Sequence, residues 1–490
     1  METAKLAAGS RPMPGWAVPA ALYAVAFALR LIPAIWFPGI NHPDEVFQTL
    51  EQSHRLVFGY GVLPWEFEFG ARSWLLPGIL AGPMWLGSLF GDGPTAYLVC
   101  IHLSLALLAA GIIPCAYGWG RNHLGFWGGV IAAALPALWP DDVYFAARSL
   151  SECVAAPILV IGFYLADPGH RPGDGASSRR RLLLAGILLG LTIALRLQLA
   201  PAIAVILLWL IFAGPRRNLI PMATGIAIAL ALAGGLDALT WDYPFESLWR
   251  NLTYNIFYGV SAYYGTEPWY FYIELLWQLW RGFIVVIVPL ALIGARRLPV
   301  PFLAALALLA AHSAVPHKEL RFIYPAILLL SIVAGMGLAQ LAVWISARRR
   351  ISLPRCAAAM LALTALCTVT LTFSPSYRAL WRVGHDMVRA DTLVARLDSV
   401  CGIGIWRSHA SYTYFHRKVP FYWSDDQADF EKYLPAFNTL IAAEPAPPAP
   451  GFTVLKCFGD VCVAQRPGPC ADIPMPPMLK PKPQAEATPG

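Results

Sequence analysis

Charged residues are scarce in this chain and fall into a few clusters that could act on an anionic substrate. Asp44 and Glu45 follow His42 and Pro43. Pro43 biases the backbone out of helix at His42, so the two carboxylates open a short helix at its N-terminal end. The helix dipole there favours the ionised form, and partial burial opposes it. An ionised carboxylate at a membrane surface can take the proton of an acceptor hydroxyl. It can equally do no more than cap the helix, with Asp44 as the cap and Glu45 solvated. His317-Lys318-Glu319-Leu320-Arg321 interrupts two apolar runs and offers three potentially cationic side chains, a set suited to a phosphate. Any two spans need a charged loop, however, so this cluster has a purely topological reading too. Arg196 stands inside the apolar run 182–214, where an isolated arginine is a functional candidate unless it snorkels to the interface. If the run turns back near residue 197, Arg196 reaches the same face. His42 and His54 with Asp44 are the nearest approach to a metal set. Neither a His-x-x-x-His pattern nor a cysteine pair supports it, and no metal or other cofactor is expected.

These groups need a scaffold, and composition says which kind. The 490 residues are 57% hydrophobic and 13% charged, which marks a polytopic membrane protein. The net charge of +7 comes from short Lys and Arg clusters between apolar runs. Such clusters set topology, and no nucleic-acid partner is read from them. Apolar runs of spanning length number about eleven, several of them shorter than the roughly 20 residues a span needs. The first, Trp16 to Phe37, reads as a retained signal anchor. Residues 73–91 could add another span, but charge decides against it. With that stretch at the outer interface, Arg121, Arg179–Arg181, Arg216-Arg217, Arg296-Arg297 and Arg348–Arg350 share the side of Lys5 and Arg11. The same parity puts 39–94, 140–149, 239–280, 316–321 and everything after about 374 on the non-cytoplasmic face. Asp44-Glu45, Asp141-Asp142 and His317-Lys318-Glu319 then meet on one side.

Three outer segments stand out. Asn41 to Arg72 carries Asp44, Glu45, Glu51, Arg55, Glu66, Glu68 and Arg72 among large apolar side chains such as Phe47, Leu50, Leu56, Phe58, Trp65, Phe67 and Phe69. At roughly 2.5–3.5 kcal/mol per charge at mid-bilayer it cannot enter lipid, and an amphipathic segment at the surface fits it. The loop 239–280 is dense in aromatic residues, which suit sugar rings, lipid chains or a headgroup belt. It also holds Asn251-Leu252-Thr253, a glycosylation acceptor by pattern. From Ser374 the chain turns mixed polar, with short alternating runs at 402–406, 412–415, 419–423 and 452–458 and a helix at 391–400. A small soluble α/β domain over 374–474 is predicted, followed by a Pro-rich disordered tail at 475–490. Glu444–Pro450 reads as a stiff connector. Four of the nine cysteines lie there, and in an oxidising compartment Cys457–Cys462 is the first disulfide expected, with Cys401 and Cys470 available for a second. No internal repeat is visible, which weighs against the rival reading of a lipid or sugar transporter.

His42-Pro43-Asp44-Glu45 with Phe47-Gln48, Glu51, His54, Phe58-Gly59, Gly61 and Trp65-Glu66-Phe67 resembles the first outer loop of glycosyltransferase family 22, nearest to its GPI mannosyltransferase branch. Asp237, Asn251, Asn255, Tyr264-Gly265, Pro268-Trp269 and Tyr272 resemble the family's second long outer loop. His317-Lys318-Glu319 with Arg321-Phe322 and Pro325 is similar to its HKExRF element. The resemblance implies an all-α polytopic GT-C fold over 1–373 with amphipathic outer helices at 39–94. It implies a metal-independent, inverting transfer of a sugar, usually mannose, from a polyprenyl-phosphate donor to a glycan or glycolipid acceptor. It makes Asp44 the base and Glu45 its neighbour or substitute. His317, Lys318, Arg321 and the nearby Arg196 become donor-phosphate ligands, and His42, Gln48, Glu51, Trp65, Glu66, Tyr264 and Trp269 substrate contacts. The site faces the periplasm or a lumen. Short loops and the cysteine-bearing tail favour a bacterial inner membrane over the endoplasmic reticulum.

Overall fold

The computed structural model describes residues 15–167, 175–446 and 448–475. Lys5, Arg11, Pro447 of the predicted connector and the tail beyond Met475 lie outside the described residues. Among the described residues, five helical stretches are long and apolar enough to cross a membrane: Ala17–Trp36, Pro94–Leu138, Arg216–Thr240, Leu320–Arg349 and Leu353–Thr372. Phe271–Trp280 and Ile284–Ala295 reach that length only as a pair bent by 110°. Leu75–Ser88, Ser151–Ala166, Leu197–Phe212 and Pro299–Ala314 are apolar but shorter. The architecture is therefore polytopic and helical, while the expected count of about eleven spans is not matched by eleven full-length helices.

Breaks in the long runs explain the difference. At Gly125 the backbone takes φ 75° and ψ −169°, a conformation open to glycine. The chain folds back there, and a Cβ on Gly120 would lie 2.5 Å from the Gly128 carbonyl oxygen. The apolar stretch Pro94–Leu138 is thus two limbs joined at this reversal. Leu75–Ser88 has 14 residues, about 21 Å of helix against roughly 30 Å of hydrocarbon. That length agrees with a stretch that does not span. It packs on the Pro94–Ala110 helix so closely that a Cβ on Gly87 would sit 2.3 Å from the Tyr97 Cα. The run 182–214 breaks at Arg196, which is extended (φ −153°, ψ 98°) between the Gly175–Leu195 helix and the turn Leu197–Leu199.

The segment after the first span is helical in pieces. His42 precedes Pro43–Glu45 in extended conformation, and its Nδ1 accepts the Asp44 N–H at 3.2 Å. His42, not Asp44, thus caps this turn. A π-helical turn, Val46–Leu50, leads into Glu51–Phe58, which Gly59 closes at φ 77°. π-helical turns are wider than α-helical ones and often mark functional segments.

The C-terminal domain holds a five-stranded sheet of β1 (Ile403–Trp406), β2 (Phe421–Ser424), β3 (Thr439–Ala443), β4 (Thr453–Phe458) and β5 (Val461–Gln465), in the order β2-β1-β3-β5-β4. β1 runs parallel to β2 and β3, and β5 antiparallel to β3 and β4. Both disulfides form, Cys457–Cys462 across β4 and β5 and Cys401–Cys470 closing a separation of 69 residues. Tyr412–Phe415, expected as a strand, is one helical turn, and the expected helix lies at His385–Val394. The reason is tertiary: one face of the sheet packs with Val62, Phe47 and Tyr60 of the outer segment, and the turn fits between them.

That junction contains polar contacts of its own. His54 is fully buried, with Nε2 2.9 Å from His416 Nδ1 and Nδ1 2.9 Å from the Tyr60 carbonyl oxygen. Burial lowers the His54 pKa to about 4. An unfolded imidazole protonates near pH 6.5. Stability from this neutral pair is therefore complete above about pH 6.5 and falls as pH drops towards 4, by about 3 kcal/mol at most. Hydrogen exchange across Glu51–Phe58 should accelerate over that window, and His54→Phe should flatten the dependence.

Candidate active site

Asp44 and Arg321 stand 277 residues apart in sequence and form an ion pair of 2.7 Å. Burial opposes the charge on Asp44, but the Arg321 guanidinium and His42 outweigh it and hold its carboxyl well below the usual carboxylate range. The position is fixed from both ends. The His42 ring lies 3.5 Å from Asp44 Oδ1 and 3.6 Å from Glu319 Oε2. Glu319 also binds Arg321 Nε at 2.5 Å and His317 Nε2 at 2.9 Å. His317 Nδ1 reaches the Gly265 carbonyl oxygen at 2.9 Å, which ties the aromatic outer loop to this network. Arg321 and Arg196 both lie over the Phe322 ring, 5.1 and 5.3 Å from its centre.

An open cleft runs from Asp44 and Arg321 past Arg72 to Arg196 and Glu152. Arg196 pairs with Glu152 at 2.8 Å. Gln48 lines the cleft and donates to Glu66 Oε1 at 2.8 Å. Burial and the neighbouring Asp44 charge raise the Glu66 pKa. The floor is braced by Asp237, which accepts from Ser73 Oγ (3.1 Å), Ser247 N (3.1 Å) and Ser247 Oγ (2.6 Å). Asn251 also lines the cleft and donates to the Ala71 carbonyl oxygen at 3.3 Å. Its amide is engaged inside the fold, which leaves the sequon no free acceptor.

The sequence-derived set therefore divides. Asp44, His42, Gln48, Glu66, Arg196, His317 and Arg321 come together at or beside the cleft. Trp65 packs edge-on with Tyr254 beside the same outer segment. Tyr264 and Trp269 are exposed on the aromatic loop, Tyr264 with its ring 6.4 Å from His317. Three residues lie elsewhere. Lys318, expected on the phosphate, donates to the carbonyl oxygens of Glu267 (2.8 Å), Val315 and Pro316, because the loop needs those acceptors satisfied. Glu45, expected beside Asp44, turns inward: it accepts the Asn41 N–H at 3.0 Å and lies 3.8 Å from Arg148. Burial raises its pKa, and Arg148 and the Asn41 amide oppose that. Glu51, expected to meet substrate, accepts from Val62 N (2.8 Å), Thr413 N (3.0 Å) and Thr413 Oγ1 (2.7 Å), and so belongs to the junction with the C-terminal domain. Asp141 and Asp142 share the face but not the cleft, being spent on Trp280, Tyr377 and Ser331.

Sequence reasoning missed Arg72 and Glu152 as cleft residues. Arg72 carried a signal, since it ends the charged outer segment immediately before an apolar helix. Glu152 opens an apolar helix at residue 151, and nothing local pairs it with Arg196.

A family model described as the Alg9-like mannosyltransferase family matches residues 21–416. A Yarrowia lipolytica protein named GPI mannosyltransferase 3 is 29% identical over 324 residues, covering 64% of this chain and 62% of its own length. A Danio rerio protein named GPI alpha-1,2-mannosyltransferase 3 is 28% identical over 338 residues, covering 64% of this chain and 59% of its own length. The chain thus spans about three fifths of the curated relatives it matches. Among solved structures, ArnT from Cupriavidus metallidurans bound to undecaprenyl phosphate superposes with a TM-score of 0.63 at 14% identity, over 92% of this chain and 98% of that one. That likeness establishes a shared GT-C type of fold.

Proposed function

Since the chain belongs to the Alg9-like mannosyltransferase family, we propose that it moves a mannosyl group from a polyprenyl-phosphate donor to a hydroxyl of a lipid-linked acceptor, with Asp44 as the base. The observation that carries this reading is the meeting of two carboxylates, Asp44 and Glu152, with three arginines in a single cleft beside the membrane helices.

The step follows from that arrangement. The acceptor oxygen attacks the anomeric carbon, and its bond to that carbon forms as the bond from the carbon to the phosphate oxygen breaks. The acceptor proton passes to Asp44. The electron pair of the broken bond leaves on the phosphate, so a singly charged phosphodiester becomes a doubly charged monoester. Cations near the phosphate therefore bind the transition state more strongly than the bound donor, which is what accelerates a reaction. Attack opposite the leaving group inverts the anomeric centre. A β-linked donor would give an α-mannoside, the anomer for which the Danio rerio relative is named.

The undecaprenyl phosphate bound by the fold neighbour ArnT supports a prenyl phosphate as the lipid, and the relatives' names support a GPI-type acceptor. The two relatives named above are eukaryotic, so the lean towards a bacterial inner membrane gains nothing from them. On either reading of the host the cleft opens on the non-cytoplasmic side, by the charge parity of the loops.

Membranes containing the protein should transfer radiolabelled mannose from polyprenyl-phosphate mannose to an extractable glycolipid. The labelled product should be absent from membranes without it. Movement of the intact donor lipid across the membrane with no glycoside formed would instead favour a transporter.

A further inference from the structure

The cleft wall is lined by three arginines and two carboxylates: Arg72, Arg196 and Arg321 against Asp44 and Glu152. Arg196 is neutralised by Glu152 and Arg321 by Asp44. Arg321 is further engaged by Glu319, which is itself shared with His317 and lies near His42. Arg72 differs. It enters none of the ion pairs formed among the described residues, and its Nε is buried without a hydrogen-bond partner. Its backbone is nevertheless held firmly. Trp241 Nε1 donates to the Arg72 carbonyl oxygen at 3.2 Å, Asn251 holds Ala71, and Ser73 is tied to Asp237. Asp44, Glu66 and Glu152 lie near enough to feel its charge, but a guanidinium with a buried, unpartnered Nε and no direct ion pair still gains from an anion that enters the cleft.

We propose that Arg72 is the principal ligand of the donor's phosphodiester, and that Arg321 takes the second phosphate charge when Asp44 accepts the acceptor's proton. The inference rests on the donor reading above and deepens it. In the resting cleft one lining arginine makes no direct ion pair, which suits the single charge of a phosphodiester. Once Asp44 is protonated only Glu319 still pairs with Arg321, so the positive charge facing the phosphate rises by one at the moment it becomes doubly charged. The ion pair that keeps Asp44 ionised is thus also the reserve of positive charge for the leaving group. Proton uptake and bond cleavage reinforce each other, because each removes the electrostatic objection to the other. Lys318, turned onto backbone carbonyl oxygens, takes no part.

The test uses full-length protein in detergent and farnesyl phosphate at pH 8, where the monoester is doubly charged and stands for the leaving group. Arg72→Gln should weaken its binding about tenfold or more, and Arg72→Lys by less, because the charge remains while the fork is lost. Lys318→Gln should change it by less than about threefold, as expected for a side chain outside the cleft. Asp44→Asn should bind the probe about fivefold more tightly than wild type, because one of the two carboxylates paired with Arg321 has lost its charge. Unaltered thermal unfolding without lipid certifies each variant. Should Arg72→Gln, folded, bind as wild type does, the assignment of Arg72 is wrong. Should Asp44→Asn bind no tighter, the coupling is wrong. A wild-type protein that ignores farnesyl phosphate altogether would instead overturn the donor reading on which both depend.

Discussion

Asp44→Asn should leave the protein folded and lower mannose transfer about a thousandfold, in the range that loss of a general base produces. The substitution is nearly isosteric and keeps the backbone bond to His42 Nδ1, so the turn Pro43–Glu45 survives. Arg321 keeps Glu319, so no buried guanidinium is abandoned. What disappears is the proton acceptor. Glu45 cannot replace it, because its carboxylate faces Asn41 and Arg148 rather than the cleft. Glu66 is the nearest rival, held by Gln48 and disfavoured as an anion by burial and by Asp44 itself. The double comparison with Glu66→Gln decides between them: a thousandfold loss in Asp44→Asn with a small loss in Glu66→Gln supports Asp44. The reverse order would move the base to Glu66.

Glu51→Ala should be the most damaging change outside the cleft. Three donors converge on this carboxylate from Val62 and Thr413, and a buried donor left unsatisfied costs about 1–3 kcal/mol. The side chain is completely buried, so water does not readily take its place. About 4 kcal/mol of junction stability should be lost, enough to detach the C-terminal domain from Glu51–Phe58 in a marginally stable protein. Since Asp44 and Gln48 lie on the helical pieces that lead into that helix, transfer should fall at least tenfold. Limited proteolysis between residues 384 and 401 should report the detachment, and Glu51→Gln should restore part of it. Normal activity and normal protease resistance in Glu51→Ala would show that the domain is held by its apolar face alone. The same contacts bear on a truncation: removing residues 374–490 strips Thr413 and His416 from the outer segment, so the membrane core would lose more than an accessory domain.

Much of this was legible from the residues, and the limits have physical causes. Hydropathy and the alternation of basic clusters placed Asp44, Arg196 and Arg321 on one face, because the energy of a charge in lipid leaves few topologies. The disulfide Cys457–Cys462 was legible from its short spacing, and Cys401–Cys470 only as the pair that remained. Lys318 was misplaced because a cation beside a phosphate and a cation beside three carbonyl oxygens have the same sequence. Glu51 was misplaced for a similar reason: an acid in the catalytic loop looks the same whether it faces substrate or a domain joined 362 residues later. Tyr412–Phe415 alternates like a strand, yet its environment on the outer segment demands a helical turn. The count of about eleven spans is not confirmed helix by helix, because several apolar helices are short and one long apolar stretch doubles back at Gly125.

The most direct measurement is a structure of the Asp44→Asn protein with polyprenyl-phosphate mannose bound. The account predicts the phosphate within hydrogen-bond reach of Arg72 and Arg321, about 3 Å, and the anomeric carbon a few ångströms from residue 44, with room for the acceptor oxygen between them. A donor whose phosphate sits on Lys318, or whose sugar lies on the far side of the aromatic loop from residue 44, would contradict it.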